Sequence, residues 1–276
     1  MEKTELIQFK KRKIITFILI SYAISWIIWL PNVISHYFQV SWIHSNWLHF
    51  FGGFGPFFGA IFTTLIYDKR RGIKKYFLTR FIKGLKIKWI MVGLLMPIFI
   101  FFVAYIIIGT FFGAWTNLSL IGINSKIPIN NIFLIWLLWC LFYGIGEESG
   151  WRGFFLPELT KKYNTRTATL YTAFVWAFWH MPLFFYDKDF MAMGLVGLIG
   201  WAVGLIFGSL LLGWLTKQSR WNLWPCIFWH ATFNLFATSD KISPLYPAIM
   251  TMMIVIAGLW IARKYGDDLL LVIQPD

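Results

Sequence analysis

Read as apolar and polar positions, the chain is a succession of long hydrophobic runs broken by short basic or polar connectors. About 20 apolar residues in a helix suffice to cross a bilayer's hydrocarbon core. The runs predict about eight transmembrane helices, over roughly residues 14–30, 46–66, 89–112, 131–156, 166–186, 191–216, 221–238 and 244–262. The expected fold class is all-α: a polytopic membrane protein whose helices surround an intramembrane active-site cavity. No Gly/Ser linker or charged tail interrupts the pattern. One integral membrane domain over 1–276 is expected, with its motif-bearing core at about 131–240.

Composition sharpens this. The chain is 58% hydrophobic and only 13% charged, with a mean hydropathy of +0.64, whereas soluble domains carry about 25% charged residues. The net charge of +13 does not point to nucleic acid, because the bases sit in short connectors, as in loops facing anionic lipid. With the N-terminus in the cytoplasm, all but three of the 25 Lys and Arg fall on the inner side, the exceptions being Lys126, Lys188 and Lys241. This bias predicts a multi-pass protein of the cell membrane with both termini cytoplasmic and the lipid bilayer as its first partner. "KKRKIITFILISYAISWIIWL" reads as a first span, because its apolar part is long enough to cross and lacks a small-residue cleavage site. The basic connector 67–88 predicts an interfacial amphipathic helix. Cys140 and Cys226 lie inside apolar runs, which argues against a disulfide framework or a thiolate metal cluster. Gly197, Gly200, Gly204 and Gly208 form a helical stripe that would let a neighbouring backbone approach closely.

Against this background a few polar groups need a reason, since an ionisable group near the bilayer centre costs at least about 2.5–3.5 kcal/mol. They are Glu147, Glu148 and Arg152 in "GEESGWR", His180 in "WAFWH", and His230 with Asn234 in "HATFN". Glu148 and Arg152 are four apart and can pair on one helix face, which leaves Glu147 projecting about 100° away. His230 and Asn234 share a face in the same way. Counting about 1.5 Å per residue puts Glu147, His180 and His230 roughly 14, 21 and 14 Å from the inner ends of their spans. A wet cavity open to the cytoplasm would accommodate all three.

Hydrolysis of an amide needs an activated water and a stabiliser for the developing oxyanion. Glu147, as general base and then acid, and His180 suit the water. His230 and Asn234 suit the oxyanion, and the Glu148–Arg152 pair would hold the helix. Each piece also has a plainer use: interfacial acids with a snorkelling arginine, or histidines as hydrogen-bonding glue between helices. Zinc held by Glu147, His180 and His230 is the rival chemistry, although HExxH is absent and no Cys lies at ligand spacing. The expectation is catalysis without a cofactor. A transporter using the acids as a proton relay would favour inverted repeats, and the sequence shows no matching interrupted segments.

"EESGWR" and "HATFN" match the EExxxR and HxxxN motifs of the CPBP family of CAAX-type and bacteriocin-processing intramembrane proteases. "WAFWH" resembles its FxxxH motif, with Trp176 where Phe is usual. The resemblance implies an eight-helix intramembrane endopeptidase in which Glu147 and His180 activate water and His230 and Asn234 form the oxyanion hole. It implies a membrane-associated substrate, either a prenylated CAAX protein or a small peptide. The alternative within the family is a non-enzymatic bacteriocin-immunity or scaffold protein of the same fold.

Overall fold

The computed structural model describes residues 3–269, with side chains from residue 11 onward. It is all-α, and no strand occurs among the described residues. In chain order the helices are α1 (Lys3–Phe38), α2 (Asn46–Gly52), α3 (Gly55–Phe77), α4 (Ile87–Phe112), α5 (Ile132–Trp139), α6 (Gly146–Gly150), α7 (Leu156–Leu159), α8 (Thr165–Trp179), α9 (Lys188–Met191), α10 (Gly194–Gln218), α11 (Trp224–Ala237) and α12 (Leu245–Lys264). Helical turns of π type fuse α5, α6 and α7 into one rod, Ile132–Leu159.

Six helices are long and apolar enough to cross a membrane: Lys11–Phe38, Asn46–Ile82, Ile87–Phe112, Ile132–Leu159, Gly194–Gln218 and Leu245–Lys264. The protein is therefore a multi-pass membrane protein. The two remaining expected spans, 166–186 and 221–238, fold as shorter helices of 15 and 14 residues. At about 1.5 Å per residue each is some 21–22 Å long, less than the roughly 30 Å hydrocarbon layer. Local chemistry explains both. α8 stops at His180 because Pro182 and a 3-10 turn (Met181–Phe185) follow, and α11 starts at a proline-bearing first turn. Both pack against longer helices, α8 on α10 and α11 on α4 and α5. These two short helices carry the histidines.

The basic connector differs from expectation. Residues 67–77 continue α3 past a break at Lys69 (φ 57°), and a π turn extends to Ile82. It is not a detached surface helix. Tyr76 is buried, its hydroxyl donating to the Ser149 carbonyl at 2.6 Å, and Arg80 Nε donates to the Gly153 carbonyl at 2.6 Å. The connector thus clamps the end of the acid-bearing rod.

Small residues bring that rod close to its neighbours. A Cβ added at Gly146 would lie 2.6 Å from the Gly53 carbonyl oxygen, and one at Gly150 2.3 Å from Pro56 Cβ. These glycines flank the acid pair four residues apart, so α6 presses one face onto the start of α3. Gly55 and Gly59 of α3 fit Ser25 and Ser21 of α1 in the same manner. The glycine stripe of α10 behaves this way only in part. Gly204 abuts Thr251 of α12, whereas Gly200 and Gly208 face open space.

Candidate active site

The acid pair sits on a single α-helical turn, α6, between two π turns, Cys140–Ile145 and Trp151–Phe155. A π turn adds a residue to the helical repeat and redirects the side chains that follow. Glu147, Glu148 and Arg152 are all buried, at 1%, 0% and 0% exposure. Arg152 is therefore not one of the loop bases that set the charge bias.

Arg152 Nη1 donates to Glu148 Oε1 at 3.0 Å, as the four-residue spacing predicts. The same oxygen meets His230 Nδ1 at 2.7 Å. A carboxylate held by a guanidinium only accepts, so His230 Nδ1 carries a proton and Nε2 is the free nitrogen. This changes the histidine's expected task, because a neutral His230 with Nδ1–H offers Nε2 as an acceptor. To donate to an oxyanion it must be the imidazolium.

Glu147 turns away from this pair. Its Oε2 accepts from the indole Nε1 of Trp176 at 2.5 Å. Trp176 also accepts from His180 Nδ1 through its backbone carbonyl, at 2.7 Å. Since a carbonyl only accepts, His180 Nδ1 is protonated and Nε2 keeps its lone pair. The guanidinium of Arg152 lies 4.4 Å from the Trp176 ring centre, and the Trp176 ring lies 5.8 Å from His180 and 5.7 Å from His230. One tryptophan thus touches the acid, the arginine and both imidazoles. In the motif Trp176 stands where phenylalanine is usual. The available signal was that an indole, unlike phenyl, brings an N–H donor.

His180 caps the C-terminal end of α8 and is partly exposed, packed among Trp179, Phe190 and Trp201. Asn234 lies one turn beyond His230 on α11, half-buried, with its backbone carbonyl accepting from Thr238. The structure thus gathers Glu147, Glu148, Arg152, His180 and His230 around Trp176, despite the unequal lengths of helix below each. No Glu147–His180 hydrogen bond joins the two water-activating candidates directly. Among the described residues no three His, Cys, Asp or Glu side chains converge as a metal-ligand set. On each histidine Nδ1 is engaged and Nε2 is free, so the hydrogen bonds leave one nitrogen of each ring open to a ligand.

A second polar cluster was not foreseen. His36 and His44 are exposed. His49 is instead buried, its Nδ1 2.9 Å from the Tyr186 hydroxyl and 3.5 Å from Asp187. Lys126 bridges Asp187 and Asp189 at 2.7 and 2.8 Å. Burial works against the charged form of Asp187, but Lys126 and His49 outweigh it and hold the carboxyl below its ordinary range. Burial likewise opposes the charge on Lys126, and its two aspartates raise it above the ordinary lysine value. A cavity of about 290 Å³ opens here, lined by His44, His49, Lys126, Tyr186 and Asp187 among others. It lies at the end of the bundle bearing Lys126 and Lys188, whereas the sequence pointed to an opening on the basic side.

Fold and site together define a helical membrane protein with a buried acid–imidazole centre. Residues 129–236 match the family described as Type II CAAX prenyl endopeptidase Rce1-like, which supports the resemblance to the CPBP family of CAAX-type proteases over the part of the chain that carries the motifs. That family implies protease activity within the membrane. No curated protein matches the chain.

Proposed function

We propose that this protein is an intramembrane endopeptidase that hydrolyses a peptide bond of a membrane-associated substrate. The observation that supports it best is the meeting, on Trp176, of a buried carboxylate and two oriented imidazoles from three different helices. Such a set is costly to bury in a bilayer and suits one reacting centre.

A water between Glu147 and His180 Nε2 loses its proton to the Glu147 carboxylate as its oxygen attacks the peptide carbonyl carbon. The carbonyl π electrons move to oxygen. His230, as the imidazolium with Nε2–H, and the Asn234 amide donate hydrogen bonds to that oxyanion. As the carbonyl re-forms, the C–N bond breaks and Glu147 returns the proton to the leaving amine. Glu148 holds His230 by Nδ1 and is itself held by Arg152, so the pair is a positioning device. The family description makes prenylated CAAX C-termini the first substrates to test, with small membrane peptides next. We place the basic end of the bundle in the cytoplasm, following the lysine and arginine bias.

The deciding experiment reconstitutes the full chain in liposomes and measures cleavage of a lipidated CAAX peptide and a panel of membrane peptides. Wild type should cleave a member of the panel, and Glu147→Ala and His180→Ala should each lose that activity. Undiminished turnover in both variants rejects the assignment.

A further inference from the structure

The mechanism above leaves several buried polar atoms near the centre unused, the Tyr143 hydroxyl among them. Tyr143 sits in the π turn Cys140–Ile145, one turn before Glu147. Its hydroxyl is buried and has no hydrogen-bond partner, although burying a hydroxyl unpaired is unfavourable and phenylalanine would fill the same space. Its ring lies 6.5 Å from His230 on one side and 6.3 Å from His49 on the other. Other buried polar atoms also lack partners, but among the described residues Tyr143 is the one of these whose ring meets both histidines. Glu147, Tyr186 and Asp187 all lie within electrostatic reach of it. A line of polar rings therefore runs from Tyr186 and His49, at the 290 Å³ cavity, through Tyr143 to His230.

We propose that Tyr143 is a further catalytic residue. Its hydroxyl donates a hydrogen bond to the scissile carbonyl oxygen as that atom becomes an oxyanion, beside His230. The phenol keeps its proton throughout, so no bond to hydrogen is broken. The orphaned hydroxyl is thus a donor waiting for a partner that only the reacting peptide supplies. This rests on the peptidase reading.

The test is Tyr143→Phe in the full chain, reconstituted with wild type and assayed on the same peptide panel. Removing one oxyanion donor should lower kcat about 100-fold while KM stays within about threefold. The melting temperature should hold or rise, because no native hydrogen bond is lost. A kcat close to wild type overturns the proposal, as does a loss carried by KM alone. A clear fall in melting temperature also overturns it, since it would reveal a structural partner for the hydroxyl. Wild type that cleaves nothing in the panel sinks the peptidase reading and this inference together. An active wild type with an equally active Tyr143→Phe sinks this inference alone.

Discussion

Two clusters of acid, base and imidazole lie along the same bundle, and they are built differently. The Glu148–Arg152–His230 cluster is buried within the spans and held by single contacts. Arg152 Nε and Nη2 and Glu148 Oε2 are left without partners. The Asp187–Lys126–His49 cluster lies beside an open cavity, and its charges are over-supplied with partners, Lys126 alone meeting two aspartates. A cluster whose only task is to tie loops together gains from redundant pairing near water. One that keeps unpaired donors and acceptors in apolar surroundings retains an unfavourable arrangement, and a protein gains from that only if something else arrives to use them. The first cluster therefore reads as chemistry and the second as a strap between the 113–131 segment, α2 and the turn after His180.

Substitutions can break that contrast. The largest effect belongs to Glu147→Gln. It should lower turnover about 10³-fold without lowering the melting temperature, and a loss of folding instead would make Glu147 structural. Next comes Arg152→Leu, which leaves Glu148 buried with His230 but without its guanidinium partner, at a cost of about 3–5 kcal/mol. Thermal denaturation in detergent should show a large drop, and an unchanged transition would mean that the pair does not hold the rod.

Trp176→Phe is finer. It retains an aromatic ring but removes the donor to Glu147, so kcat should fall about tenfold with the fold intact. Equal activity would reduce Trp176 to packing.

The strap should respond to acid. The Asp187 carboxyl is held below its ordinary range, so its contribution is present above its unfolded value near 4 and is lost as pH falls through the lower folded value. Melting temperatures between pH 6 and pH 3 should decline less steeply in Asp187→Asn than in wild type. Parallel declines would assign the acid sensitivity elsewhere. Smallest of all, a chelator should leave turnover unchanged, because among the described residues no three His, Cys, Asp or Glu side chains gather as a metal-ligand set. Inactivation restored by zinc would reopen the metal reading.

Much of the site was legible because helical spacing is a local rule. The four-residue interval between Glu148 and Arg152 requires only one helix, and the ion pair follows at 3.0 Å. Hydrophobic runs likewise announce long spans. At two of the expected spans the helices are shorter than the runs, α8 stopping before Pro182 and α11 starting at a proline-bearing turn. Nothing local to His49 reports its partner Tyr186, which lies 137 positions away.

By itself the sequence determined that the chain lives in a membrane, which residues there are too polar to be filler, and which of them share a helix face, because hydropathy and helical period act within one segment. Only the tertiary structure decided which nitrogen each histidine keeps free, that Trp176 rather than a neutral ring joins acid to imidazole, and that Tyr143 is left with an idle hydroxyl. Those are properties of pairs of atoms from different helices, and the angles at which helices pack are set by close contacts such as Gly146 on Gly53 and Gly150 on Pro56, which no single segment encodes.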